Sequence, residues 1–156
     1  LPIGAIGGSK ELLTLFDPKD LKLFHTGTFN ANPITMAAGL ISVNHLTLDR
    51  IETMEAGALA LKGRLERSAM KVGLPISINR HGSCLNIYFS PRAPQSSIVR
   101  EDSELIGMFH LAAMNHGLFL APRGMVALST VMTDDNVAEI SDRAETAMAD
   151  VAVAAN

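Results

Sequence analysis

The chain has 156 residues, 47% of them hydrophobic and only 4% aromatic, with a formal net charge of −3 and one cysteine, Cys84. That length suits one ordinary domain with its own core, and the scattered Lys and Arg form no basic stripe of the kind that nucleic acid or an anionic membrane selects. No apolar run approaches the ~20 residues that span a bilayer, and a single thiol excludes both an internal disulfide and a cysteine-cluster metal site, which fits a reducing, cytoplasmic setting.

Leu1-Pro2-Ile3-Gly4-Ala5-Ile6-Gly7-Gly8 reads as a short buried strand between glycine turns, as though the chain were entered in mid-domain. Ser9 then caps a short helix through about Phe16, with Glu11 in the first turn where the helix dipole favours it, and Asp17-Pro18-Lys19-Asp20 breaks it. In His25-Thr26-Gly27-Thr28-Phe29-Asn30-Ala31-Asn32-Pro33 a glycine and two hydroxyls stand just before a helix start, with Asn32 as cap and Pro33 at the first helical position. A Gly-Thr pair in such a loop can present N–H groups and a hydroxyl to an anion such as phosphate; from these residues alone an ordinary well-capped turn is the other reading.

From Pro33, Ile34, Ala37, Ala38 and Ile41 keep helical spacing on a face of small residues. A second helix, capped by Thr47 or Asp49, carries Ile51, Met54, Ala58, Leu61 and Leu65, and stops at Gly73 and Pro75. The period then becomes two: Ile76 and Ile78, a turn at Arg80-His81-Gly82-Ser83, then Leu85, Ile87 and Phe89 predict a pair of strands, and Ser90 to Ser97 a loop. A helix from about Ile98 or Asp102 to His116 ends at Gly117. Leu118-Phe119-Leu120 opens a strand, Pro122-Arg123-Gly124 makes a kink or turn, and Val126 to Leu128 is the last strand. Thr133-Asp134-Asp135 caps a final helix striped by Val137, Ile140, Ala144, Ala147 and Val151. The class is α/β, helices packed on a modest sheet, with the best boundary near Leu46 to Asp49.

Most of the reactive side chains have ordinary explanations. Cys84 in an apolar strand pattern reads as a small buried hydrophobe. His45, His81, His110 and His116 lack metal-ligand spacing, and His81 reads as a turn residue. Met36, Met54, Met70, Met108 and Met114 are expected to fill helix packing. Lys10, in the first turn of a surface helix, reads as a solvated charge.

Leu1-Pro2-Ile3-Gly4-Ala5, the Gly-Thr-Phe-x-x-Asn-Pro of residues 27 to 33, and Gly117-Leu118-Phe119-Leu120-Ala121-Pro122 stand in an informative order and spacing. Together they resemble the last third of class III pyridoxal-phosphate aminotransferases, in the glutamate-1-semialdehyde aminomutase-like branch. The resemblance implies the C-terminal part of a fold-type I transferase. Residues 1–48 would end the large cofactor domain, and residues 49–156 would form a small α+β domain with a short, mostly antiparallel sheet. It implies pyridoxal 5′-phosphate as cofactor and a homodimer in which Gly27 and Thr28 reach the partner's cofactor phosphate, with His25 more a packing residue than a ligand. It also implies that the Schiff-base lysine and the carboxylate beside the pyridine nitrogen precede Leu1, in an N-terminal portion of the same enzyme, so that these residues alone are inactive.

The expected reaction moves an amino group between an amino acid or amine and a keto acid or aldehyde. Aminomutases of this kind carry Ser-x-Phe-Glu after Leu-Ala-Pro, where this chain has Arg123-Gly124-Met125-Val126. The glutamate has become Val126, which cannot hydrogen-bond through its side chain. The Arg123 guanidinium could instead clamp a substrate carboxylate through two parallel N–H bonds, or form a surface salt bridge. An aminomutase is the alternative reaction, and a non-catalytic α/β interaction domain the alternative from another class.

Overall fold

A computed structural model of the protein describes residues 3–25, 27–95 and 104–155. Leu1, Pro2, Thr26, the end of the loop expected over Ser90 to Ser97, and the helix start expected at Ile98 or Asp102 lie outside the described residues. Contacts divide the chain into two compact units, Leu1–Thr47 and Leu48–Asn156.

In the first unit the Ser9 hydroxyl accepts the Leu12 N–H at 3.3 Å and caps α1, Lys10–Leu13, which tightens into a 3₁₀ turn over Thr14–Phe16. Asp17 Oδ1 accepts the Lys19 N–H at 2.8 Å, and the short local bond closes the break expected there. Residues 3 to 9 are exposed and form no strand, because no neighbouring segment among the described residues offers them a ladder. Helix α2 spans Pro33–His45 and has apolar residues on every side. Gly39 alone is buried in it, and a Cβ there would run into Ile3, while Ile34 and Ile41, expected on a packed face, are exposed.

The second unit holds the core. Helix α3, Leu48–Val72, starts ahead of Asp49, which therefore lies in its first turn, and buries Ala58, Leu61, Leu65, Ser68 and Ala69 along one stripe. At its end Gly73 takes φ +74 while the Leu74 N–H reaches back to the Ala69 carbonyl at 3.0 Å, a glycine stop that a side chain would strain. Strands β1, Ser77–His81, and β2, Cys84–Tyr88, pair antiparallel around the two-residue Gly82-Ser83 loop, Gly82 supplying φ +55. Strand β3, Met125–Ala127, pairs antiparallel with the other side of β2, so β2 is central. Helices α4, Glu104–Asn115, and α5, Asp134–Ala154, complete the unit; Thr133 and Asn136 close a reciprocal capping box on α5.

Register decides which side chains are inside. Ile78 opposes Ile87, and Leu85 opposes Val126, so these four share one face, which packs against Leu61, Leu65 and Phe109. Cys84 has the other parity and is exposed, contrary to the buried position expected for it. Phe89 meets Phe109 with ring centroids 5.3 Å apart. Between α3 and α5 the buried residues are small (Ala58, Ala144, Ala147), and a Cβ on Gly57 would stand 3.7 Å from Val137 of α5, in ordinary contact. Lys62 on α3 joins Glu66 and donates to the Ile78 carbonyl at 3.1 Å, fastening α3 to β1. The methionines divide: Met108 packs against the core and Met148 is buried within it, but Met36, Met70 and Met114 are exposed rather than packed. Residues 118 to 120 form no strand, since no described strand lies beside them; Leu120 is nevertheless buried.

Across the α3–α5 contact, Glu145 accepts from Lys71 at 2.8 Å and from Ser68 at 2.7 Å. The Lys71 bond first, then the Ser68 bond, hold its carboxyl below the usual carboxylate range. A carboxyl depressed by folding adds stability above its unfolded value of about 4.3 and loses that contribution as pH falls through the lower folded value. Denaturant titrations from pH 7 down to pH 3 should therefore show a shallower acid loss in Glu145→Gln than in the parent; equal slopes would remove Glu145 from the acid sensitivity.

Candidate functional site

Gly27 and Thr28 lie in the first unit, in a reversal where the Asn30 N–H donates to the Gly27 carbonyl at 3.0 Å and the Asn32 N–H to the Phe29 carbonyl at 3.2 Å. Ala31 sits at φ +56, a left-handed conformation that costs a non-glycine residue roughly 1 kcal/mol. Asn32 Oδ1 then accepts from the N–H groups of Ile34 and Thr35 at 3.1 and 3.2 Å and from the Thr35 hydroxyl at 3.1 Å. The cap thus consumes the donors at the start of α2. The donors of the preceding turn are left over: among the described residues no hydrogen bond uses the N–H of Thr28 or Phe29, or the Thr28 hydroxyl, and all three residues from Gly27 to Phe29 are exposed. The Asn30 amide lies against Gly27, 3.1 Å from where a Cβ would stand, so a side chain there would have to displace it. His25 packs its ring on Phe16, with centroids 5.5 Å apart.

Arg123 lies in the second unit. The turn that carries it is closed by the Gly124 N–H donating to the Ala121 carbonyl at 2.8 Å, with Pro122 setting its first φ. Gly124 is at φ +80 and buried, and its carbonyl accepts the Ile87 N–H at 2.9 Å. A Cβ on it would collide with the Ile87 carbonyl oxygen. Only glycine lets the turn dock on β2 this closely. Asn86 Nδ2 donates to the Arg123 carbonyl at 3.3 Å and steadies the same turn from the sheet's outer face.

The Arg123 side chain stands exposed. Its guanidinium reaches the Met125 sulfur at 3.8 Å, and among the described residues it joins no ion pair. A cleft of about 370 Å³ opens beside the turn, floored by Leu61, Leu65 and Phe109 and rimmed by Phe119, Met125 and Met132. Val126, where the aminomutase pattern has a carboxylate, is half-buried in the wall of this cleft. Arg123 itself does not line the cleft; its guanidinium, in no ion pair among the described residues, suits an anionic group. Among the described residues no group of three His, Cys, Asp or Glu could hold a metal ion, and no helix is long and apolar enough to cross a membrane.

Sequence reasoning missed Arg143. Its Nη1 donates to the carbonyls of His116 and Gly117, both at 3.0 Å, and its Nη2 pairs with Glu139 at 2.6 Å. It lies 26 residues from Gly117 in the chain, and no local spacing connects the two.

No family model matches the chain. It is 33% identical over 156 residues to glutamate-1-semialdehyde 2,1-aminomutase of Anaeromyxobacter dehalogenans, covering 97% of this chain and 36% of that protein. It is 34% identical over 145 residues to beta-phenylalanine transaminase of Variovorax paradoxus, covering 88% and 32% respectively. In structure it matches an omega-transaminase from Sphaerobacter thermophilus with a TM-score of 0.78 at 30% identity, over 93% of this chain and 34% of that one. The chain spans about a third of the length of the relatives it matches. It is a relative of the class III pyridoxal-phosphate aminotransferases and glutamate-1-semialdehyde aminomutases, and it matches the C-terminal part of those enzymes.

The docking of the Arg123 turn on β2 predicts a large response to a single methyl group. Gly124→Ala should lower stability by at least about 2 kcal/mol in denaturant titration, combining left-handed strain with a backbone collision. A change below ~0.5 kcal/mol, the scale of an ordinary surface substitution, would contradict the close approach.

Proposed function

We propose, with that kinship as premise, that the chain is the C-terminal part of a pyridoxal-phosphate-dependent aminotransferase. The enzyme would move an amino group between an amino acid or amine and a keto acid or aldehyde. In this reading residues 1–48 close the large cofactor domain and residues 49–156 form the small domain of a cytoplasmic homodimer. The lysine that carries the cofactor belongs to the part of the enzyme preceding the matched segment, and the 156 residues alone are inactive. Lys10, exposed on α1, takes no part.

The observation that carries the reading is the Arg123 guanidinium, carried on a turn docked to β2 with only a thioether as side-chain partner among the described residues. A keto acid or amino acid brings a carboxylate, and the planar fork of arginine matches it with two N–H bonds. Val126 favours transamination over the aminomutase reaction, since it offers no hydrogen bond to an amino group. The identity to the Anaeromyxobacter aminomutase keeps that reaction as the second reading.

Gly27 and Thr28 would take a phosphate; the reading is supported by the unspent N–H groups of Thr28 and Phe29 and the Thr28 hydroxyl, in a turn whose neighbouring cap satisfies itself. They would hold the cofactor's phosphate by charge-assisted hydrogen bonds, across the subunit interface, and so fix its ring while substrate reacts. When bound, pyridoxal 5′-phosphate supplies an electron sink for the substrate's α-bonds. This chain's residues supply the phosphate grip and the carboxylate clamp.

Two measurements on the intact polypeptide test these roles. Thr28→Ala should weaken cofactor binding, read by spectral titration of apoenzyme, by about ten- to a hundredfold, the scale of one hydrogen bond to a charged group; unchanged affinity would remove the phosphate role. Arg123→Ala should raise KM for a keto acid roughly tenfold or more while sparing an amine donor that has no carboxylate. Loss of both donor classes in parallel would argue against a carboxylate clamp.

A further inference from the structure

We propose that Arg143 is the positioning residue of the carboxylate site, setting the placement of the segment that carries Arg123. The inference rests on reading Arg123 as the carboxylate ligand.

Helix α4 ends in a glycine stop: the Gly117 N–H donates to the Met114 carbonyl at 3.0 Å, the Leu118 N–H to the Ala113 carbonyl at 2.8 Å, and Gly117 takes φ +73. Among the described residues no turn or loop N–H of the backbone donates to the carbonyls of His116 and Gly117, at the negative end of the helix dipole. The guanidinium of Arg143, on α5, answers both at 3.0 Å and is itself steadied by Glu139. It occupies the space a side chain on residue 117 would need, since a Cβ there would run into Nη1. His116 makes a second tie to α5 through Asp150, Nε2 to Oδ2 at 2.7 Å, but from its side chain and on the helix side of the reversal.

From Gly117 the chain runs with no strand pairing to Ala121, where the turn of Arg123 begins. Its far end is fixed to the sheet by the bond from the Ile87 N–H to the Gly124 carbonyl. Its near end is held to α4 by the Leu118 N–H and tied across to α5 by Arg143. Between them Leu120 is buried, Leu118 packs against the core, and Phe119 meets the His110 ring with centroids 6.5 Å apart. A bidentate clamp tolerates little displacement, because both N–H directions must meet both carboxylate oxygens. Freeing the Gly117 end would therefore weaken carboxylate binding without altering the guanidinium itself. Lysine could replace only part of this, as a single ammonium cannot reproduce the planar fork that addresses two carbonyls and a carboxylate together.

The test uses intact enzyme reconstituted with pyridoxal 5′-phosphate, carrying Arg143→Gln, Arg143→Lys or Glu139→Gln, alongside Arg123→Ala. The readouts are the inhibition constant of propionate, KM and kcat for pyruvate, KM for 1-phenylethylamine, and Tm. Arg143→Gln is expected to raise the propionate constant and the pyruvate KM about five- to twentyfold, to leave the amine KM within about twofold, and to be partly rescued by Arg143→Lys. If Arg143→Gln does not fold, Glu139→Gln should show the same pattern at smaller amplitude. Equal effects on pyruvate and the amine, tracking a lowered Tm, would overturn positioning in favour of simple stabilisation. An unchanged propionate constant in the folded Arg143 or Glu139 variants, beside a raised one in Arg123→Ala, would overturn the inference alone. An unchanged constant in Arg123→Ala would overturn the clamp reading, and this inference with it.

Discussion

Three short strands with one apolar face cannot stand in water, and the need to cover that face organises the described residues of the second unit. Ile78, Leu85, Ile87 and Val126 occupy it, and α3 brings Leu61 and Leu65, and α4 Phe109, against it. Because side chains alternate along a strand, a slip of one residue would turn this set outward and bury Cys84, Asn86 and Met125 instead. Register is therefore held by burial. It decides in turn that Val126 lines the cleft and that Met125 lies on the exposed side within reach of Arg123.

The two candidate sites are built on one plan. In each, the local structure satisfies its own obligatory hydrogen bonds and leaves a particular donor unspent. Asn32 closes the start of α2 without drawing on the Thr28 hydroxyl or the N–H groups of Thr28 and Phe29. Gly124 closes the second turn against β2, which frees the Arg123 guanidinium. Unspent donors on rigid backbone are the arrangement that binding an anion asks for, since little ordering remains to be done when the ligand arrives.

Much of this was legible from periodicity and punctuation. The long α3 stripe, the glycine stops at Gly73 and Gly117, the hairpin around Gly82 and the Thr133 cap are all local signals, and each element stands where its signal lies. What the sequence could not display is what depends on partners far along the chain. Leu118-Phe119-Leu120 has a strand's composition, yet a strand exists only where another lies beside it, and Ile3 to Gly8 differs from expectation for the same reason. Cys84 sits in an apolar run, but its exposure follows from pairing parity, which the run alone does not fix. The turn at Gly27 and the one at Arg123 were visible as glycine-bearing loops; the reach of Arg143 to the Gly117 carbonyl was not, because 26 residues separate them.

The outward placement of Cys84 has a practical corollary. As the one thiol in the sequence, set at the start of β2 on the face turned away from the core, it is a natural attachment point for a maleimide dye. Its cross-strand neighbours are His81 and Ala127, so a fluorophore there rides on all three strands at once. Its anisotropy would then report the integrity of the whole sheet in real time, without any engineered cysteine and without disturbing the buried side.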